Sequence, residues 1–100
     1  MKVAAVVPAC NEANVIGGVV RGLRPLVTAV VVVDDGSTDS TASAAVAEGA
    51  WVLRHIVNRG QGAALQTGIT AALARGADVI VTFDADNDAV PAAQRLEIDR

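Results

Sequence analysis

The sequence predicts an α/β fold: three layers, α/β/α, around a mainly parallel, twisted sheet. Three observations predict it. Short, nearly unbroken apolar runs at Val3–Val7, Ala29–Val33 and Val79–Phe83 read as strands buried on both faces. The segments between them repeat apolar residues at helical spacing. The connections are short, so each strand–helix–strand unit is expected to be parallel with a right-handed crossover.

In chain order, Val3–Val7 is the first strand, and Pro8 is expected to end it. Val15, Ile16, Val19, Val20 and Leu23 mark a helix from about Ala13 to Arg24, weakened at Gly17, Gly18 and Gly22 and stopped by Pro25. Ala29–Val33 is the second strand. Ser37 or Thr38 is expected to cap the next helix, with Asp39 in its first turn, and Gly49 to stop it. Trp51–His55 is a shorter strand, with Trp51 read as core. Leu65, Ile69 and Leu73, with Ala72, form the expected buried stripe of a third helix ending at Gly76. Asp78–Phe83 is the fourth strand, and Pro91 is expected to open a fourth helix, still under way at Arg100. No repeat, low-complexity tract or linker interrupts the series. With no final capping element in view, residues 1–100 read as the N-terminal part of a larger domain. A fourth strand bare on its far side would be adhesive, so a homodimer is a further expectation.

Composition narrows the function. The 100 residues are 52% hydrophobic, mostly Ala and Val, with one Trp, one Phe and no Tyr. That leaves few platforms for stacking on unpaired bases. A net charge of −3 and the lack of a Lys/Arg cluster argue against nucleic acid as a partner. Cys10 is the only cysteine, so no internal disulfide can form. No run approaches a membrane span, and a cytoplasmic protein is expected.

Polar clusters follow three of the strands: Pro8-Ala9-Cys10-Asn11-Glu12, Asp34-Asp35-Gly36-Ser37 and Asp84-Ala85-Asp86-Asn87-Asp88. In a parallel sheet all three fall on the carboxyl edge, where open α/β folds bind ligands. Carboxylates crowded on a rim repel an anion unless a cation lies between them. In an extended segment Asp84 and Asp86 point the same way, and Asp88 extends the series. Hard oxygen ligands of this kind suit Mg²⁺ or Mn²⁺ shared with substrate phosphates. An EF-hand reading fails, because Ala89 and Arg95 stand where Gly and Glu are required. A phosphatase of the haloacid-dehalogenase type, with Asp84 as nucleophile, is an alternative.

An acid after the second strand commonly accepts from a ribose hydroxyl or a base N–H, and Gly36 permits a sharp turn there. A helix cap and a binding acid can hold together here, with Ser37 capping and Asp35 binding. In Asn58-Arg59-Gly60-Gln61-Gly62, the glycines ahead of a helix suggest either free backbone N–H groups for an anion or a tight packing turn. His55 reads as a hydrogen-bonded structural residue rather than a catalyst, and Cys10 as a pocket-wall residue rather than a nucleophile.

Four segments together, Val6-Val7-Pro8-Ala9-Cys10-Asn11-Glu12, Val32 through Asp39, Asn58 through Ala64, and Thr82-Phe83-Asp84-Ala85-Asp86, resemble the inverting family-2 glycosyltransferases of GT-A fold. The likeness is to the dolichol-phosphate mannosyltransferase-like branch. The resemblance implies a GDP- or UDP-sugar donor and a lipid-phosphate or saccharide acceptor. It implies that Pro8, Ala9, Asn11 and Glu12 line the nucleotide pocket, and that Val33 and Asp35 hold the base and ribose region. Asp84 and Ala85 would contact the diphosphate and sugar, Asp86 would bind the metal, and Asp88 stands where a second metal-reaching side chain is usual. Gly36, Ser37 and Gly60 complete the expected donor-binding set. The resemblance also places the first and fourth strands side by side. No acceptor base is evident in these residues, and the catalytic residue is expected beyond Arg100. A non-catalytic nucleotide-binding fragment is the other alternative. Peripheral contact with the cytoplasmic face of a membrane, through a more C-terminal part, is a further implication.

Overall fold

The computed structural model describes residues 1–85 and a strand at Ala93–Glu97. The elements are β1 (Val3–Ala9), α1 (Ala13–Leu23), β2 (Ala29–Asp35), α2 (Thr41–Ala47), β3 (Trp51–His55), α3 (Gln61–Ala74), β4 (Val79–Phe83) and β5 (Ala93–Glu97). A single 3₁₀ turn at Arg24–Leu26, with Pro25 inside it, closes α1. The sheet order is β3-β2-β1-β4-β5. The first four strands are parallel, and β5 runs antiparallel to β4.

Successive β1 residues point to opposite faces and divide the core in two. Ala5, Val7 and Ala9 join Val30 and Val32 against Ile16, Val20 and Leu23 of α1 and Ala45 of α2. Ala4, Val6 and Val31 lie under α3, with Ala72, Leu65 and Ile69. The three layers are therefore α1/α2, sheet, α3. Among the described residues no helix is long and apolar enough to cross a membrane.

Several expectations change. β1 does not end at Pro8. Lys2 O accepts from Val79 N–H of β4, and Val3 O from Thr28 N–H just before β2, so even-numbered β1 positions face β4. Pro8 lacks its N–H on the β4 side alone, and pairing with β2 continues to Ala9↔Asp34. The helix expected from Pro91 toward Arg100 is replaced, over 93–97, by β5; Arg100 itself lies outside the described residues. Ala92, Ala93, Gln94, Arg95, Leu96 and Glu97 are good helix formers. The unpaired edge of β4 overrides that local preference, and Phe83↔Ala93 to Val79↔Glu97 make the ladder. The edge expected to be bare is thus covered, which removes that ground for a homodimer. Trp51 is half-buried rather than core, and the Arg75 guanidinium lies 3.7 Å over its ring centroid.

The buried stripe of α3 also differs from expectation. Its innermost residues are Ala64, Gly68 and Ala72, while Leu73 is exposed. Helix and sheet approach too closely for larger groups: a Cβ on Gly68 would overlap Val6 Cγ1 and lie 3.0 Å from Val33 Cγ2. Val6 and Val33 are β-branched and fully buried, so neither can swing aside. We expect Gly68→Ala to destabilise the protein by about 1–3 kcal/mol through overpacking. Gly22→Ala, which meets nothing within 4 Å in α1, should instead gain up to about 1 kcal/mol. Urea denaturation of both variants checks the pair.

Candidate functional site at the carboxyl edge

The strand order reverses between β1 and β4, the place where open α/β sheets form a crevice. β1 stays paired with β2 to its end but leaves β4 after Val6↔Thr82. The gap is a concavity of about 370 Å³ walled by Pro8, Gln61, Gly62, Leu65, Thr82, Phe83 and Asp84. A second, of about 240 Å³, adjoins it and shares Pro8 and Gln61; its other walls are Ala9, Cys10, Asp35, Asn58, Gly60 and Ala64. A larger groove of about 770 Å³ runs between α1 and the end of β4, past Val15, Val19, Phe83 and Ala85. Among the described residues its walls carry no carboxylate, whereas each of the other two has one.

The acid pair at the end of β2 splits across the sheet by strand alternation. Asp35 lies on the α3 side and is buried. Its Oδ1 accepts from His55 Nδ1 at 2.7 Å and Arg59 N–H at 2.9 Å, and its Oδ2 from Gly60 N–H at 2.8 Å. Burial raises the pKa of this carboxyl, but the bonds from Arg59, His55 and Gly60 outweigh burial and hold it below 3.8. His55 and Asp35 are register partners, so parallel pairing of β3 with β2 delivers the imidazole. The other ring nitrogen, Nε2, lies 2.9 Å from Thr67 Oγ1 on α3.

These bonds bear on the two readings of the glycine-rich loop. Two N–H groups of the glycine-rich loop, at Arg59 and Gly60, serve Asp35 and are not free for a phosphate. Gly60 begins α3 at φ 99°, a left-handed value that favours glycine. Gly36, at φ 73°, is required for space as well: a Cβ there would overlap Asn58 N and lie 2.8 Å from Val57 C. Asn58 fastens the same crossing, donating from Nδ2 to Asp35 O at 3.1 Å and to Cys10 Sγ at 3.3 Å.

Asp34 takes the α1/α2 side, fully buried. Its Oδ1 accepts from Ser37 N–H at 3.1 Å. Its Oδ2 makes no hydrogen bond and is compensated by Arg54 Nε at 3.3 Å. From here the loops after β1 and β2 are laced together. Ser37 Oγ accepts from Asn11 N–H at 2.9 Å, Asn11 Oδ1 from Thr38 N–H at 2.8 Å, and Thr41 Oγ1 from Glu12 N–H at 2.9 Å. Asn11 adopts φ 55°, the one left-handed residue other than glycine among those described. Neither Ser37 nor Thr38 caps α2, because both are engaged with Asn11; the helix starts later, at Thr41. Asp39 Oδ1 accepts from the Thr41 hydroxyl and N–H, and its Oδ2 from Ala13 N–H. The Thr41 hydroxyl, ahead of the N–H bonds, lowers the Asp39 pKa.

The residues expected at the site therefore separate. Pro8, Ala9, Asp35 and Gly60 meet in one concavity, with Cys10 in its wall, and Asp84 faces the adjoining one with Pro8. Asn11, Ser37 and Gly36 hold the loops in place. Glu12, half-buried, leads into α1, its carbonyl accepting from Val15 and Ile16 N–H. Val33 is core under α3, and Ala85 packs into the α1/α2 layer. Asp86 and Asp88 lie outside the described residues, as does Arg100, beyond which the catalytic residue is expected. Among the described residues no three His, Cys, Asp or Glu side chains form a metal-binding group. Sequence reasoning missed Thr67, since only the height of α3 over β3 brings it to His55.

Asp35 has a sign for pH. Its folded pKa is depressed, so its stabilisation is present above the unfolded value and is lost as pH falls through the folded one. We expect Asp35→Asn to cost about 1–3 kcal/mol at neutral pH by mismatching the buried donors. The difference from wild type should shrink as pH drops below 3.8; urea midpoints across that range measure it.

The model of glycosyl transferase family 2 matches residues 4–96. An uncharacterized protein of Methanocaldococcus jannaschii is 49% identical over 87 residues, covering 86% of this chain and 36% of that protein. The UDP-N-acetylglucosamine–dolichyl-phosphate N-acetylglucosaminyltransferase of Methanococcus voltae is 32% identical over 104 residues, covering 86% of this chain and 41% of that enzyme. The crystal structure of glucosyl-3-phosphoglycerate synthase from Mycobacterium tuberculosis, in complex with Mn²⁺, UDP-glucose and phosphoglyceric acid, aligns with TM-score 0.71 at 33% identity. That alignment covers 85% of this chain and 33% of the synthase. The chain thus spans about a third to two-fifths of the length of these proteins. The family match displaces the phosphatase alternative, and the fold is the GT-A fold of its structural neighbours.

Proposed function

This chain belongs to glycosyl transferase family 2, and on that premise we propose that it binds the donor of a cation-dependent glycosyltransferase, a UDP- or GDP-sugar. The observation that carries this reading is the pair of joined concavities at the strand-order reversal, with Asp35 in one and Asp84 in the other. Three N–H donors occupy the Asp35 carboxylate. One of its roughly four acceptor positions remains for a base N–H or ribose hydroxyl. Pro8, Ala9 and Cys10 give the nucleoside an apolar wall.

The diphosphate and sugar extend into the crevice toward Asp84. The donor set there fits Mg²⁺ or Mn²⁺, because carboxylates are the hard oxygen ligands these ions take. Asp84, Asp86 and Asp88 would hold the ion, which supplies charge neutralisation to the departing nucleoside diphosphate. The solved relative was crystallised with Mn²⁺ and UDP-glucose, which supports the same choice here. The whole protein then transfers the sugar, with inversion, to a lipid phosphate or saccharide, in the cytoplasm or at the membrane face that bounds it.

Calorimetry with UDP and GDP tests the reading. Mn²⁺ should raise nucleotide affinity by about tenfold or more, about 1.4 kcal/mol, and Asp86→Ala should remove the gain. Equal affinity with and without Mn²⁺ would count against the proposal. Tight binding without any sugar transfer by the full-length protein would favour a non-catalytic binding module.

A further inference from the structure

His55 has no assigned part in donor binding, yet its ring joins three elements. It stands at the end of β3, buried, with Nδ1 on Asp35 of β2 and Nε2 on Thr67 of α3. Both ring nitrogens are engaged, so the imidazole can neither rotate nor flip without losing a buried hydrogen bond. Asp35 is an acceptor in its ionised form, which assigns the proton to Nδ1. In the neutral ring Nε2 then accepts from the Thr67 hydroxyl.

We propose that His55 is a positioning residue of the donor pocket: held by Thr67, it fixes Asp35 as an ionised acceptor with one site open to an N–H or O–H of a nucleoside diphosphate. This inference rests on the reading that Asp35 faces the nucleotide. Without the imidazole, Oδ1 keeps only the Arg59 N–H. Gly60 N–H still holds Oδ2, but the place vacated by the imidazole is a second open position on Oδ1, so the carboxylate no longer offers a ligand a single site. The loop at Arg59 and Gly60 loosens with it, and that loop leads into the wall of the same concavity.

The electrostatic surroundings simplify the case. Among the described residues, the titratable groups facing Asp35 are His55 on β3 and Cys10 after β1, with Asp84 in the adjoining concavity. Asp34 lies across the sheet with Arg54, the Arg59 side chain is exposed, and α3 carries no charged residue at all. A change in how Asp35 titrates after substitution of His55 is therefore traceable to this bond.

The test compares His55→Phe, His55→Asn and Thr67→Val with wild type in the full-length protein, by UDP calorimetry in Mn²⁺ and by NMR of the Asp35 carboxyl carbon and the His55 ring nitrogens. His55→Asn keeps an N–H donor near the place of Nδ1. We expect UDP affinity to fall about tenfold or more in His55→Phe, to recover largely in His55→Asn, and to fall less in Thr67→Val. The acid limb of the affinity profile should move to higher pH in His55→Phe, with the Asp35 carboxyl titration moving alongside it. Wild type should show the Nδ1–H tautomer. An unchanged Asp35 titration in His55→Phe, or equal affinity losses in the Phe and Asn variants, would overturn the proposal. If wild type shows the NMR signature but binds neither UDP nor GDP, the reading of Asp35 as the nucleotide contact fails instead. Should His55→Phe not fold, the Thr67→Val titration against wild type decides, since losing the hydroxyl must still alter the ring and, through it, Asp35.

Discussion

A buried carboxylate with no counter-ion costs several kcal/mol, and the carboxyl edge of this sheet is arranged around meeting that cost at Asp35. Its partners are a register-paired imidazole and two backbone N–H groups of the β3–α3 loop. To deliver those groups the loop must cross the end of β2, and it passes so close to Gly36 that no side chain fits. The start of α3, the wall at Gly60 and the position of Asn58 all follow from this crossing. One ion's need for donors thus sets the shape of a concavity that a nucleoside can enter.

The neighbouring acid does a different job by the same means. Strand alternation turns Asp34 to the opposite face, where it holds Ser37 and faces Arg54. Ser37 in turn holds Asn11, and the loops after β1 and β2 become one body through Thr38, Asp39 and Thr41. Two adjacent residues of like charge avoid each other across the sheet and anchor separate networks, one for the pocket and one for the helices behind it.

Much of this was legible in the sequence. The nearly unbroken apolar runs marked three of the four parallel strands, because residues buried on both faces need no polar alternation. The carboxyl-edge clusters were legible because turn and acid residues directly follow the first, second and fourth strands. Side-chain direction was harder to read. Val33 and Ala85 sit in site-bearing segments but turn into the core. Ser37 looked like a cap and is a loop bridge, since Asn11, a distant residue, competes for it. The stripe of α3 misled because size, not hydrophobicity, decides which face lies against Val6. β5 was invisible for a similar reason: its residues favour a helix alone, and only the bare side of β4 makes a strand the better outcome.

Pro8 has one last consequence. A parallel pair that parts at its end is normally free to zip up again, and a crevice made that way would open and shut with thermal motion. The missing donor lies on the β4 side, at the first even-numbered position beyond the last paired residue. The seam between β1 and β4 therefore lacks one of its two next stitches, with only the Pro8 carbonyl left to pair. Closing the mouth would gain little, so little of a guest's binding energy is spent on holding the strands apart.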